Sequence, residues 1–207
     1  ERAQKKDAFT RMQRERDSER EIAQTKRREE QARGVMQRAV IDDVTQRLYR
    51  LFGMDDRPQE RGKLLEGVLN DLFRAYGIHV KENFIRRSQA DNSVALEQID
   101  GVIEISGVLH LVEMKWLKQP VGIGDFSQHL VRVMGRPGVS GILISSSGFT
   151  EAVLEQCAEF LNMRTTFLCT LEEIVMLLQR RGDLIQLPKA KSQAAVLEKQ
   201  PFIKILT

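Results

Sequence analysis

The chain has 207 residues, of which 42% are apolar, and this suits one domain of ordinary size with an appendage. No apolar run approaches the roughly 18 residues of a membrane helix, and no signal peptide is visible, so a membrane span within these residues is excluded. The formal charge of +3 is small, and bulk charge therefore gives little indication of nucleic acid binding.

The N-terminal segment 1–34 is a predicted charged helical arm. It holds eleven Lys and Arg against eight Asp and Glu, whereas residues 35–207 hold 21 of each. Its apolar residues, such as Phe9, Met12 and Ile22, are too sparse for a sustained heptad seam, and Glu–Arg pairs at helical spacing favour a solvated helix. A spacer, a weak coiled-coil arm and a partly disordered segment all remain open, and we expect homo-oligomerisation through these helices.

From Val35 onward apolar residues recur at helical spacing and predict a helix that ends near Gly53. A turn that ends at Pro58 precedes a second predicted helix, which stops at Gly77. The expected division of the chain is an arm with a connecting helix at 1–57, a globular domain at 58–187 and a C-terminal extension at 188–207.

The next two segments, QIDGVIEI and LHLVEMKW, alternate polar and apolar residues and predict two half-buried strands. Ser106-Gly107 between them suits a two-residue hairpin loop. If this is the loop, Ile105 pairs with Val108, and the register of the whole hairpin follows.

This register places Asp100 directly opposite Glu113, and Lys115 lies on the same face two residues further on. Opposed like charges are destabilising unless they are compensated, and Mg²⁺ binds one or two carboxylates together with several waters. The group therefore indicates phosphodiester hydrolysis. The alternative is a surface ion pair on an amphipathic hairpin, because Glu-Xaa-Lys is common by chance.

The remaining elements complete a mixed sheet flanked by helices. They are a strand at 80–86, a loop at 89–93, a helix at about 125–134, a strand at 138–145, a helix after 150, a strand at 165–169 and a helix to about 181. Thr150 is a predicted N-cap, and Thr170 with Glu173 predicts a capping box. The segment 183–207 has no assigned position in this fold.

The two cysteines, Cys157 and Cys169, are not in a CxxC motif, and the three histidines His79, His110 and His129 lack zinc-ligand spacing. Buried reduced thiols in a cytoplasmic protein are therefore expected. We interpret His129 as structural rather than as a ligand.

The order of these elements and motifs resembles the PD-(D/E)xK nuclease fold. Within that fold it resembles the Mrr-like (type IV restriction) endonuclease catalytic domain, over about residues 61–181. The motifs that carry the resemblance are Gly62-Lys63-Leu64-Leu65-Glu66, Ile99-Asp100-Gly101, Glu113-Met114-Lys115, VGIGDF, GILIS and Gly148-Phe149-Thr150 with Ala152. The fold class this implies is α/β with a mixed sheet, a restriction-endonuclease-like core and an N-terminal helical arm.

The resemblance implies that Asp100 and Glu113 ligate Mg²⁺ or Mn²⁺ together with the backbone carbonyl of Met114. Glu66 would contribute directly or through a water. Lys115 would orient the attacking water or stabilise negative charge in the transition state.

Further candidates lie around this group. Gln128 is a candidate site residue, with an ordinary surface glutamine as the alternative. Arg86, Arg87 and Lys118 are candidate phosphate contacts. Trp116 alternates away from the candidate face, and we expect it to pack in the core.

The function implied is that of a Mg²⁺-dependent DNA endonuclease in restriction or phage defence. A structure-selective repair nuclease, such as a junction resolvase, is one alternative. The other is a non-catalytic DNA-binding or assembly module with a nuclease-like fold. The expected partners are DNA, further copies of the chain and a larger defence complex.

Overall fold

The computed structural model describes the backbone of residues 2–87 and 95–205, and the side chains of residues 12–14, 16, 18–81, 85 and 98–205. The predicted loop at 89–93 and the side chains of Arg86 and Arg87 lie outside the described residues.

In residues 2–87 and 95–205, six helices and five strands follow one another, and all but the last helix have the predicted order. They are α1 (Arg2–Leu51), α2 (Pro58–Ala75), β1 (His79–Arg87), β2 (Ala95–Ile105), β3 (Val108–Lys115), α3 (Ile123–Met134), β4 (Val139–Ser145), α4 (Glu151–Phe160), β5 (Thr166–Thr170), α5 (Leu171–Gln179) and α6 (Gln186–Leu197). The last helix, α6, occupies the segment that the sequence pattern left unassigned. Thr150 is the N-cap residue of α4, although its side chain makes no capping hydrogen bond.

The five strands form one sheet in the order β1-β2-β3-β4-β5. The pairs β1–β2 and β2–β3 are antiparallel, whereas β3–β4 and β4–β5 are parallel. Parallel neighbours need a crossover connection, and α3 and α4 supply the two crossovers. The prediction of a mixed α/β sheet with an N-terminal helix is confirmed.

The hairpin register is also confirmed. Ile105 pairs with Val108, and the ladder continues to Gly101 opposite Val112. Ser106 and Gly107 have φ angles of 53° and 79°, and such left-handed conformations characterise a tight two-residue hairpin turn.

Helices cover both faces of the sheet, and the strand alternation divides the core between them. One face packs on α3 and α4 through Val121, Phe126, Leu130, Leu143, Val153, Cys157 and Leu168. The opposite face meets α2, α5 and α6 through residues that include Phe73, Ile142, Ile144, Phe167, Ile174 and Leu187. Strand β4 is buried along most of its length, and its consecutive apolar residues Ile142, Leu143 and Ile144 pack on both faces.

The chain divides into two compact units, Glu1–Asp42 and Asp43–Thr207. The predicted helical arm is helical from Arg2, and it continues without interruption into the following helix. The sequence-based boundary was placed at residue 57 instead. Val44, Leu48 and Leu51 account for the difference, because all three are buried within the second unit.

The first unit presents apolar side chains to solvent, among them Ile22, Val35 and Met36. An ion pair at helical spacing, Arg33 to Glu29 at 3.8 Å, agrees with the predicted solvated helix. No helix in the described part of the chain is long and apolar enough to cross a membrane.

A buried polar cluster, which we call the C-terminal clamp, joins α5 to the segment after α6. The predicted capping box is present, with the backbone N–H of Thr170 donating to Glu173 Oε2 at 2.8 Å. Glu173 Oε1 accepts from the backbone N–H of Ile205 and lies 2.8 Å from Lys191 Nζ. Lys191 Nζ also donates to the carbonyl of Ile203 at 2.7 Å. Both charged side chains are fully buried.

The same segment also covers the outer edge of the sheet. The backbone N–H of Leu168 in β5 donates to the carbonyl of Pro201 at 2.9 Å. Both cysteines are free and buried, and burial raises the pKa of each thiol to about 12. This agrees with the prediction of buried reduced thiols.

Candidate active site

The hairpin turn fixes the two candidate carboxylates beside each other. The pair Gly101–Val112 ends the ladder; Asp100 on β2 directly precedes Gly101, and Glu113 on β3 directly follows Val112. Both are buried, and Asp100 Oδ2 accepts a hydrogen bond of 2.9 Å from the backbone N–H of Met114. One backbone donor therefore orients the Asp100 carboxylate across the hairpin.

Helix α2 contacts the hairpin at Asp100 and Gly101. Asn70 Nδ2 donates to the backbone carbonyl of Asp100 at 2.9 Å. A Cβ atom at Gly101 would lie 2.5 Å from Asn70 Oδ1, which is closer than real Cβ contacts come. The glycine after Asp100 is thus required by the close approach of α2, a reason that the sequence alone did not reveal.

Lys115 lies on the predicted face. Its Nζ is 3.0 Å from Glu113 Oε1 and 3.6 Å from Asp125 Oδ1. Burial lowers the pKa of Lys115, but Glu113, Asp125 and Asp100 together raise it by more, so it stays above its ordinary value. The ammonium group is therefore charged, and it lies beside the carboxylate pair.

Helix α3 contributes a residue that the sequence analysis missed. Arg132 Nη1 contacts Glu113 Oε2, so both carboxylate oxygens of Glu113 face cationic groups. Asp125 and Arg132 are seven residues apart and therefore share one face of α3. Since Phe126 and Val133 follow them directly and are buried, this face borders the core. That pattern was the signal available in the sequence.

The pKa of Asp100 is raised to about 7. Burial is the largest cause and the neighbouring Glu113 is the next, while the hydrogen bond from Met114 acts in the opposite direction. The negative charge of Glu66 on α2 also raises the pKa of Asp100. The third carboxylate that the sequence predicts for the site therefore acts electrostatically on Asp100. Buried carboxyl groups with strongly raised pKa values are concentrated at functional sites.

His129 lies in the protein interior under this group. It is fully buried, and burial lowers its pKa to about 4, so the ring is neutral. Its Nε2 has no hydrogen-bond partner in the described part of the chain, and it lies 3.0 Å from the position of a Cβ at Gly141. These contacts agree with a structural histidine.

The other sequence candidates lie further out. Gln128 is exposed on α3, and no contact among the described residues joins it to the carboxylates. Lys118 is exposed in the loop after β3, where it stays a candidate phosphate contact. Trp116 is half-buried rather than in the core, because β3 ends at Lys115 and its alternation stops there. Instead the indole packs edge-on against Phe52 at 4.9 Å.

The donor set suits a hard divalent cation. Among the described residues no group of three or more His, Cys, Asp or Glu side chains forms a ready metal cluster. Mg²⁺, however, requires only one or two carboxylates and keeps several waters. Asp100 and Glu113 supply that number, and the repulsion that raises the pKa of Asp100 is what a cation would relieve.

No protein-family profile matches the chain, and no curated protein matches it significantly. Among solved structures, the modification-dependent restriction endonuclease AspBHI is 18% identical with a TM-score of 0.42, over 78% of this chain and 40% of that one. MspJI restriction endonuclease in complex with a 27-mer oligonucleotide is 18% identical with a TM-score of 0.34, over 74% and 35%. AF1548, a protein of unknown function, is 17% identical with a TM-score of 0.40, over 51% and 57%. These likenesses are weak and span little more than half of each neighbour at most.

Proposed function

We propose that the chain is a Mg²⁺- or Mn²⁺-dependent DNA endonuclease that hydrolyses phosphodiester bonds. The observation that carries this proposal is the meeting of Asp100, Glu113 and Lys115 on one face of the β2–β3 hairpin, with Lys115 Nζ 3.0 Å from Glu113. An isolated surface ion pair would not require two buried carboxylates beside each other, because burying like charges is costly.

Each residue has a distinct role in this proposal. Asp100 and Glu113 hold the metal with the backbone carbonyl of Met114, and Glu66 supports it directly or through a water. The bound metal supplies Lewis acidity towards water and the phosphate. Lys115 places a fixed positive charge where the phosphate gains negative charge in the transition state.

We further propose a role in restriction or phage defence, which the resemblance of the motifs to Mrr-like endonucleases supports. DNA is then the partner of the second unit. Homo-oligomerisation through the first unit stays a prediction, and the exposed Ile22, Val35 and Met36 are the residues that would be buried by it.

The test is cleavage of supercoiled plasmid by the purified protein with Mg²⁺, with Mn²⁺ and with EDTA. We expect nicked or linear product only when a divalent metal is present. Lys115→Ala should remove cleavage, whereas Lys199→Ala should not. Lys199 is a suitable control because it bonds Asn162 on the surface.

The same assay separates the alternatives. Cleavage that persists in excess chelator would refute the metal mechanism. Selective cleavage of branched DNA over plasmid would assign a repair nuclease in place of a restriction enzyme. DNA binding without cleavage under every metal condition would assign the non-catalytic module.

A further inference from the structure

We infer that Arg132 competes with the metal for Glu113. Its guanidinium group pairs with the Glu113 carboxylate until metal and DNA displace it. The inference rests on the proposed function and concerns its regulation. It follows from the partners of one carboxylate.

Both carboxylate oxygens of Glu113 have a cationic partner in this conformation. Lys115 occupies Oε1 at 3.0 Å, and Arg132 occupies Oε2. A divalent cation needs at least one of these oxygens, since carboxylate oxygen is the ligand that it takes from a protein. Each oxygen keeps a second lone pair, but a divalent cation bound there would lie close to an ammonium or a guanidinium group of like charge, so displacement of one of the two favours metal binding.

Arg132 is the partner that can leave. Lys115 lies on the same strand as Glu113 and has Asp125 as a second carboxylate partner. Arg132 reaches Glu113 from the last turn of α3, and its side chain is 19% exposed. A long guanidinium side chain at the rim can turn into water while its stem stays packed.

The backbone of Arg132 would stay fixed during this movement. Its carbonyl accepts a hydrogen bond of 2.9 Å from Arg136 Nη1, one turn further along. The C-terminal end of a helix also favours a positive charge nearby, so the freed guanidinium remains stabilised at the edge of the site. Only the side chain has to rotate.

A DNA phosphate is the natural new partner for the freed group. Guanidinium binds phosphate through two parallel hydrogen bonds and prefers it in nucleic acid recognition. DNA that captures Arg132 would open Glu113 to the metal, and by linkage the metal would strengthen DNA binding by the same factor. The site would thus assemble only on its substrate.

The test is calorimetric titration of the metal-free full chain with Mn²⁺ alone. We expect Arg132→Gln to bind Mn²⁺ about tenfold more tightly than the wild type, because the competitor is gone. Lys199→Gln removes one positive charge from a side chain that bonds Asn162 on the surface, and its affinity should stay within about twofold. Arg132→Lys, which keeps the charge but has shorter reach, should be intermediate.

A second measurement follows Arg132 onto DNA. In EDTA, where no cleavage occurs, Arg132→Gln should weaken binding of a short duplex and lower the slope of log affinity against log salt by about 1. Lys199→Gln should reduce both by less. Thermal unfolding of every variant confirms that the fold is retained.

The direction of the change in Mn²⁺ affinity decides whether Arg132 competes with the metal. If Arg132 instead positions Glu113 for the metal, Arg132→Gln will bind Mn²⁺ more weakly, and the competitor role is overturned. Unchanged affinity overturns it as well. If neither wild type nor variant binds Mn²⁺, the metal site of the proposed function falls together with this inference.

Discussion

Glu173 and Glu113 are both buried in the second unit, but different kinds of group bind their carboxylates. Glu173 in the C-terminal clamp is held by backbone N–H groups of Thr170 and Ile205 and by the fully buried Lys191. Glu113 is held by two side-chain cations, both partly exposed, and it lies beside the like-charged Asp100.

The difference separates a carboxylate that is held in place from one whose partners can be exchanged. Backbone donors cannot leave a carboxylate without unfolding the segment that carries them, so Glu173 stays bound to its partners. Side chains can turn away, so the partners of Glu113 can be exchanged for a ligand. Burial alone therefore does not distinguish the two residues, whereas the nature of their partners does.

The largest effect expected is on cleavage. Glu113→Gln should lower the rate by at least about 10²–10³-fold, because a ligand and an electrostatic group of the site are lost together. Its free energy of unfolding should change by no more than about 1 kcal/mol, since Arg132 and Lys115 can be solvated and repulsion with Asp100 is relieved. Plasmid cleavage and urea denaturation measure the two. Near-normal cleavage would show that Glu113 is as structural as Glu173.

The converse pattern is expected in the C-terminal clamp. Lys191→Met should reduce the free energy of unfolding by about 3–5 kcal/mol, because it leaves Glu173 buried without its cation. Cleavage per folded molecule should not change. Lys204→Met is the matched control, since this lysine pairs with Glu172 on the surface and its loss should leave the free energy of unfolding nearly unchanged. Equal losses in the two variants would contradict the structural role of Lys191.

The free energy of unfolding, measured at a series of pH values, tests the surroundings of Asp100 beside Glu113. Its pKa is raised to about 7, so between about pH 4 and 7 the folded protein holds a proton that the unfolded chain releases. Stability from this group therefore falls as pH rises. In metal-free buffer Asp100→Asn should match the wild type near pH 4 and exceed it at pH 8 by about 1–4 kcal/mol. Added Mg²⁺ should stabilise the wild type alone, and a pH-independent difference would refute the raised pKa.

The smallest effect concerns the glycine behind the carboxylates. Gly101→Ala should destabilise by about 1–3 kcal/mol, because the methyl group displaces Asn70 from the carbonyl of Asp100. Gly124→Ala, in α3 with open space around it, should instead stabilise by about 0.4–1 kcal/mol. Chemical denaturation of both variants measures whether each substitution lowers or raises the free energy of unfolding. A neutral Gly101→Ala would mean that α2 can withdraw from the hairpin.

The sequence alone predicts the features that depend on residues close together in the chain. Ser106-Gly107 determines the turn, and the turn determines the register of Asp100 and Glu113 within a few residues. Thr170 and Glu173 form their capping box three residues apart. Each of these depends on neighbours in the chain, so a single sequence contains the information.

The remaining features depend on packing between distant elements. Arg132 reaches Glu113 only because α3 packs on the sheet through Phe126 and Leu130 at one particular rotation. Lysine is almost never fully buried unless it is paired, so the residues around Lys191 give no indication of its burial. Its partner Glu173 is on another helix, and no local pattern links the two.

The C-terminal clamp has a consequence for how the protein is made. Residues 201–205 supply the carbonyls and N–H groups that close around Lys191 and Glu173, and Pro201 covers the outer edge of β5. A ribosome adds these residues after every strand of the sheet has been synthesised, at about 5–20 residues per second. Until they emerge from the exit tunnel, a buried ion pair is incomplete and a strand edge is open to other chains. The nascent domain is therefore exposed to aggregation until residues 201–205 have left the tunnel and closed the C-terminal clamp.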